Sequence, residues 1–162
     1  MSKAEEIVRA LGLEPLPVEG GMFRSTYTSA QEKDGHPIGS AIYYFLHGKA
    51  FSHMHCLTGD ELWFHHDGDA VNLVCLYPDG TWDVTRLGGD VTKGEVPQHV
   101  VPEGTWMGAC LVSGGDYALL ATTNHPGYIP GCYTHGDCAA LKEQYPAAAE
   151  WIDRLTGEAI FF

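Results

Sequence analysis

HMHCLTGDELWFHHDGD, residues His53 to Asp69, sets two histidines at i and i+2, then a turn, a carboxylate, and a glycine seven residues beyond that carboxylate. Side chains alternate between the two faces of a strand, so His53 and His55 share a face. Thr58-Gly59-Asp60 supplies the turn. Glu61 then opens a second strand with Trp63 and His65 on its own face, while His66 points to the other. Paired as a hairpin, the two strands bring imidazoles and a carboxylate together in a pocket, and these are the donor types of a transition-metal site.

Outward from this stretch the same strand pattern repeats. MFRSTYTS, SAIYYFLHG, AVNLVCLY, TWDVTRLG, QHVVP, WMGACLVS and YALLATTN read as strands bounded by turn residues. Asp67-Gly68-Asp69 and Asp79-Gly80 read as hairpin turns. Strands at this short spacing predict an all-β sandwich or barrel. Ser2 to Leu13 reads as a helix, with Ser2 as cap, Glu5 three residues later, and Gly12 and Pro15 ending it. Helix returns at Cys138 to Tyr145 and at Ala147 to Leu155. With no internal repeat and no linker, residues 1–162 read as one domain.

Charge narrows the partners. A formal net charge of −12 with nine basic residues argues against a nucleic-acid polymer or an anionic membrane surface. No leader-like start and no apolar run near 20 residues are present, so the expected compartment is the cytoplasm. Five cysteines without a CxxC pair read as free thiols there.

Six ordered motifs, GGMFRSTYTS, AIYYFL, FSHMHCLTGDELWFHHDGD, VPEGTWMGA, HPGY and LKEQYPAAAEWIDRLT, resemble the Cupin_5 branch of the cupin superfamily, from about Ile7 to Thr156. The resemblance implies a cupin double-stranded β-helix, a jelly-roll barrel like that of dTDP-sugar epimerases, with a short N-terminal helix, C-terminal helices and often a dimer. It implies no reaction, since one fold carries many chemistries. Metal-binding cupins use two histidines and a glutamate in the first motif and a third histidine after Pro-x-Gly in the second. Here Pro102-Glu103-Gly104 is followed by Met107 at that position. The expectation is therefore no cofactor and no tightly held metal, with His53, His55 and Glu61 taking up nickel or zinc weakly when supplied.

The candidates divide by role. His55, Glu61 and His65 are the candidate catalytic groups, with Tyr43 as a proton donor and Cys56 as a weaker nucleophile. Trp63 and Trp106 are either stacking walls for a planar ring or core packing. Only one of Gln98 and His99 faces inward on a regular strand, and the resemblance favours Gln98. Arg24 either anchors an anion or pairs with a surface acid, and Gly127 to Gly131 reads as a loop closing one end of the barrel. The expected function is binding a small molecule, a sugar or nucleotide derivative, in the barrel. A metal-independent epimerase or isomerase is the first alternative, and a metal-dependent lyase or oxygenase the second. Residues Ala41 to Leu46 are apolar on both faces, which predicts a second layer over this strand, either the helical tail or the partner of a homodimer.

Overall fold

The computed structural model describes residues 1–162. The chain opens with α1 (Lys3–Leu11), whose ends are written locally. Ser2 Oγ accepts from the Glu5 N–H at 3.2 Å, Glu5 Oε2 accepts from the Ser2 N–H at 2.6 Å, and Gly12 closes the helix at φ 62°. The strands follow as β1 (Glu14–Pro15), β2 (Met22–Thr28), β3 (Glu32–Lys33), β4 (His36–Pro37), β5 (Ser40–His47), β6 (Phe51–Leu57) and β7 (Asp60–Gly68). They continue as β8 (Val71–Leu76), β9 (Trp82–Leu87), β10 (Gln98–Val101), β11 (Trp106–Leu111), β12 (Tyr117–His125) and β13 (Tyr133–His135). Helices α2 (Cys138–Gln144) and α3 (Ala149–Arg154) come last.

Two antiparallel sheets form a jelly-roll sandwich. One has the order β1-β2-β5-β12-β7-β10 and the other β13-β6-β11-β8-β9, with β3 and β4 as a separate ribbon. The space between them holds one core that joins Tyr44, Trp63 and Leu120 of the first sheet to Leu73, Met107 and Ala109 of the second. Alternation explains this face. Within β12, Leu120, Thr122 and Asn124 are buried while the intervening residues are half-buried.

The strands flanking Thr58-Gly59-Asp60 do not form the expected hairpin. Strand β6 pairs with β11 and β13, and β7 pairs with β12 and β10. The turn carries the chain from one sheet to the other. None of its residues has the positive φ of a tight hairpin turn, and a Cβ at Gly59 would lie 2.9 Å from His125 O, so a side chain has no room there. Asp67-Gly68-Asp69 likewise crosses between sheets, whereas Asp79-Gly80 does turn β8 into its antiparallel partner β9.

Each sheet has its outer face covered from within the chain. Ala4 of α1, with Leu13, Met22 and Phe45, forms a small cluster against which Ile7, Val8 and Tyr43 pack, so α1 is the layer that buries the outer side of β5. Leu141, Tyr145, Ile152 and Leu155 of the tail cover Met54, Val74 and Cys110 on the other sheet. The last residues return across the fold: Gly157 N–H donates to His53 Nε2 at 3.2 Å, Gly21 N–H donates to Ile160 O at 3.0 Å, and the Phe162 ring stacks on His47 at 4.1 Å. All five cysteines are unpaired. No helix is long and apolar enough to cross a membrane.

Candidate functional site

A cavity of about 350 Å³ opens between the sheets at the end occupied by the β6–β7 crossing. His55, Leu57 and Tyr133 line it from the second sheet. Phe23, Ile42, Tyr44, Glu61, Thr122 and Asn124 line it from the first, and two loops contribute Glu19 with Val18 and Tyr128 with Pro130. The crossing explains the arrangement: His55 and Glu61 are six residues apart in sequence yet belong to opposing sheets, and both face the space between them.

Glu19 reaches the cavity on a strained turn. Glu19 N–H donates to Pro17 O at 2.8 Å, and Val18 between them has φ 71°. An i to i+2 hydrogen bond around a positive φ is the rarer, strained form of the γ-turn, and a β-branched residue is poorly suited to it. Gly20 and Gly21 follow at φ 94° and 73°. A Cβ at Gly20 would lie 2.6 Å from Phe51 O and one at Gly21 2.7 Å from the Tyr44 hydroxyl, so both positions need glycine. The Tyr44 hydroxyl donates to Gly20 O at 2.7 Å and pins this turn to β5.

The polar groups fall into two sets, one around Glu19 and one around Glu61. Ser52 Oγ donates to Glu19 Oε2 at 2.9 Å, and Glu19 Oε1 lies 3.7 Å from His55 Nε2. His55 Nδ1 lies 2.7 Å from His53 O; a carbonyl only accepts, so Nδ1 carries the proton and Nε2 faces Glu19. Asn124 Nδ2 donates to Glu61 Oε2 at 3.1 Å. Burial pushes the Glu61 carboxyl up to about 7, with the Glu19 charge adding to the effect. His55, the Asn124 amide and the Trp63 indole, which makes no well-formed hydrogen bond, favour the ionised form without overcoming desolvation.

His55, Glu61 and Trp63 are all interior, at 1 %, 6 % and 1 % exposure. Only the first two line the cavity. Trp63 is packed deeper, edge-on to Tyr44 with centroids 5.8 Å apart. His65 lies further along β7, beyond Trp63, with Nε2 2.9 Å from Asp69 O. Gln98 is exposed; Val101 is fully buried, and two-residue alternation from it turns His99 inward instead. Trp106 packs under the tail helices on the outer face of its sheet. Arg24 is exposed, and its Nη1 donates to Leu11 O at 2.9 Å, capping α1 from the outside. Tyr43 faces α1, so the inward tyrosine of β5 is Tyr44.

His53, His55 and Glu61, the candidate ligands for weak metal uptake, are not grouped around one point. His53 has both ring nitrogens engaged, Nδ1 with Met54 O at 2.8 Å and Nε2 with the Gly157 N–H, and it stacks on His135 at 3.7 Å. Met107 stands opposite His55 in the ladder. No three His, Cys, Asp or Glu side chains are placed to hold an ion together. Sequence reasoning missed Glu19, Tyr44, Asn124 and Tyr133. The alternation Leu120, Thr122, Asn124 would have pointed to Asn124; the Gly20-Gly21 pair reads from sequence as a bulge or close backbone approach, which gives Glu19 itself no role. Tyr128 and Pro130 do lie in the loop read as closing one end.

Residues 5–134 match a family described as Cupin superfamily (DUF985). The chain superposes on the crystal structure of a protein from Shewanella oneidensis at a TM-score of 0.89 and 30% identity, covering 97% of this chain and 99% of that one. It also superposes on a hypothetical protein from Leishmania major at 0.90 and 26% identity, covering 97% and 100%. Oxalate decarboxylase from Bacillus subtilis matches at 0.57 and 12% identity over 91% of this chain and 38% of that one, a likeness of fold alone. Curated proteins give no match.

Proposed function

The chain belongs to the Cupin_5 family, and from that premise we propose that it binds a small hydroxyl-bearing molecule of the sugar or nucleotide-derivative class in the cavity between its sheets. The observation that carries this reading is the lining itself. Hydroxyl, amide, carboxylate and imidazole groups alternate with Phe23, Ile42, Leu57 and tyrosine rings, and no Lys or Arg is among them. Concave, mostly apolar sites with a few convergent polar groups are where small molecules bind. Without a cation the cavity favours the unphosphorylated part of such a ligand. Calorimetric titration with glucose and with glucose 6-phosphate tests it. The neutral sugar is expected to bind more tightly, and His55→Ala to cost about 1–3 kcal/mol of that affinity. Tighter binding of the phosphate, or no effect of His55→Ala, would count against the cavity.

Glu61 supports a second reading, proton transfer next to a carbonyl without a metal. A carboxyl raised to about 7 is suited to act as acid and base at neutral pH, and His55 lines the same cavity. Deuterium entering a ketose from solvent in the presence of the protein, and failing to enter with Glu61→Gln, is the expected result. The metal-dependent reading has no ligand set behind it.

Homodimerisation and a cytoplasmic location complete the proposal. The apolar outer face of β5 no longer supports a dimer, since α1 covers it. Support comes from the side where β9 and β10 are the last strands of their sheets: Val84, Val91 and Val100 are exposed there. Light scattering is expected to give twice the 17.6 kDa chain mass, and Val100→Lys to shift it to the monomer. Five free thiols accord with a reducing compartment.

A further inference from the structure

The cavity holds more acidic groups than a neutral ligand requires. Glu61 is 94% removed from solvent, and the Asn124 amide on Oε2 is the one well-formed hydrogen bond it receives. Glu19 is only partly answered, by the Ser52 hydroxyl on one oxygen and by His55 3.7 Å from the other. No Lys or Arg lines the cavity with them. Two carboxyl groups withdrawn from water line one cavity, and ionising both is costly unless a cation joins them. Tyr44 from the first sheet, Tyr133 from the second and Tyr128 from a loop also line the cavity, and tyrosine rings attract cations over their faces. At net charge −12 the whole molecule also draws cations toward itself.

We infer that the ligand of this cavity is a small hydroxylated amine, an amino sugar or aminopolyol, with its ammonium held by Glu19 and Glu61. The inference rests on the reading that the cavity binds a hydroxyl-bearing molecule, and it adds the charge that molecule carries. The ammonium supplies the donors that Glu19 and Glu61 lack. The neutral groups Asn124, Thr122 and Ser40 are left for the hydroxyls. Val18, forced into its strained turn, is what aims Glu19 at the site.

Four hexose derivatives of matched ring size test this: glucose, glucosamine, N-acetylglucosamine and glucuronate, each titrated calorimetrically at pH 6.5 into the 162-residue chain. Glucosamine is expected to bind about tenfold more tightly than glucose, a difference of about 1.4 kcal/mol. N-acetylglucosamine, which keeps the nitrogen without its charge, is expected to fall back to glucose, and glucuronate to bind worst. Glu19→Gln and Glu61→Gln are each expected to reduce glucosamine affinity toward that of glucose; two variants are used so that a folding defect in one leaves the other to decide. Equal affinities for glucose and glucosamine would overturn the ammonium and leave the hydroxyl-binding reading standing. Glucuronate binding best would likewise overturn the ammonium alone, and no binding by any of the four would overturn both.

Discussion

Replacing Glu61 with glutamine is expected to stabilise the protein above pH 7, by up to about 3 kcal/mol, and to change little below pH 4. The Glu61 carboxyl titrates at about 7 in the fold against an ordinary value of 4.5. Between these values the folded chain holds a proton that the unfolded chain has released. Stability therefore falls as pH rises through this window, and the full penalty is present above it. The rise from 4.5 to about 7 corresponds to about 3 kcal/mol. Glutamine is never charged, so the variant escapes the penalty at high pH while keeping a side chain of the same size beside Asn124. Urea denaturation of both proteins across pH 4–9 reads the difference, because titrating groups remote from Glu61 cancel between them. Parallel curves, or a wild type that gains on the variant as pH rises, would show that Glu61 is ionised at no cost and that its burial is relieved in some other way.

The same carboxyl shows what the sequence made legible. Alternation along His53 to Asp69 placed His55, Glu61 and Trp63 on inward faces, and the inward faces are where they lie. Alternation cannot say how deep a side chain sits, so Trp63, read as either wall or core, turned out to be core. Nor does it say which strand a turn leads to. Asp79-Gly80 and Asp67-Gly68-Asp69 look alike, yet the first makes a hairpin and the second crosses between sheets. The difference is non-local: β7 is held on both sides, by β12 and β10, leaving no edge for β8 to pair with. Gln98 and His99 show the limit of parity without an anchor. Val101, buried completely two residues from His99, fixes the register, and its burial depends on the barrel closing around it. Glu19 was the hardest to foresee. Its place in the cavity depends on a backbone turn at Val18 that residue propensities disfavour, held by Tyr44 and by the chain end at Ile160.

Trp63→Ala is expected to destabilise the fold by about 3–5 kcal/mol, the range for truncating a large buried aromatic. Trp63 is 1 % exposed and stands perpendicular to Tyr44 at 5.8 Å, where edge-to-face contact adds to the area it buries. Its loss also undermines the cavity at one remove. Tyr44 holds Gly20 O at 2.7 Å, Gly20 follows Glu19, and a Tyr44 ring free to tilt into the space left by the indole would release that turn. Trp63→Phe separates packing from polarity. It keeps a ring against Tyr44 and deletes an indole N–H that has no hydrogen-bond partner in the core, so it is expected to cost clearly less than the lost volume alone would suggest. Denaturant midpoints for the two variants give both numbers, and glucosamine titration of Trp63→Phe shows whether the cavity survives. A Trp63→Ala protein as stable as the wild type but unable to bind ligand would reverse the assignment. The indole would then be a wall that touches the bound molecule, and the core would be closed by Tyr44 and Leu120 without it.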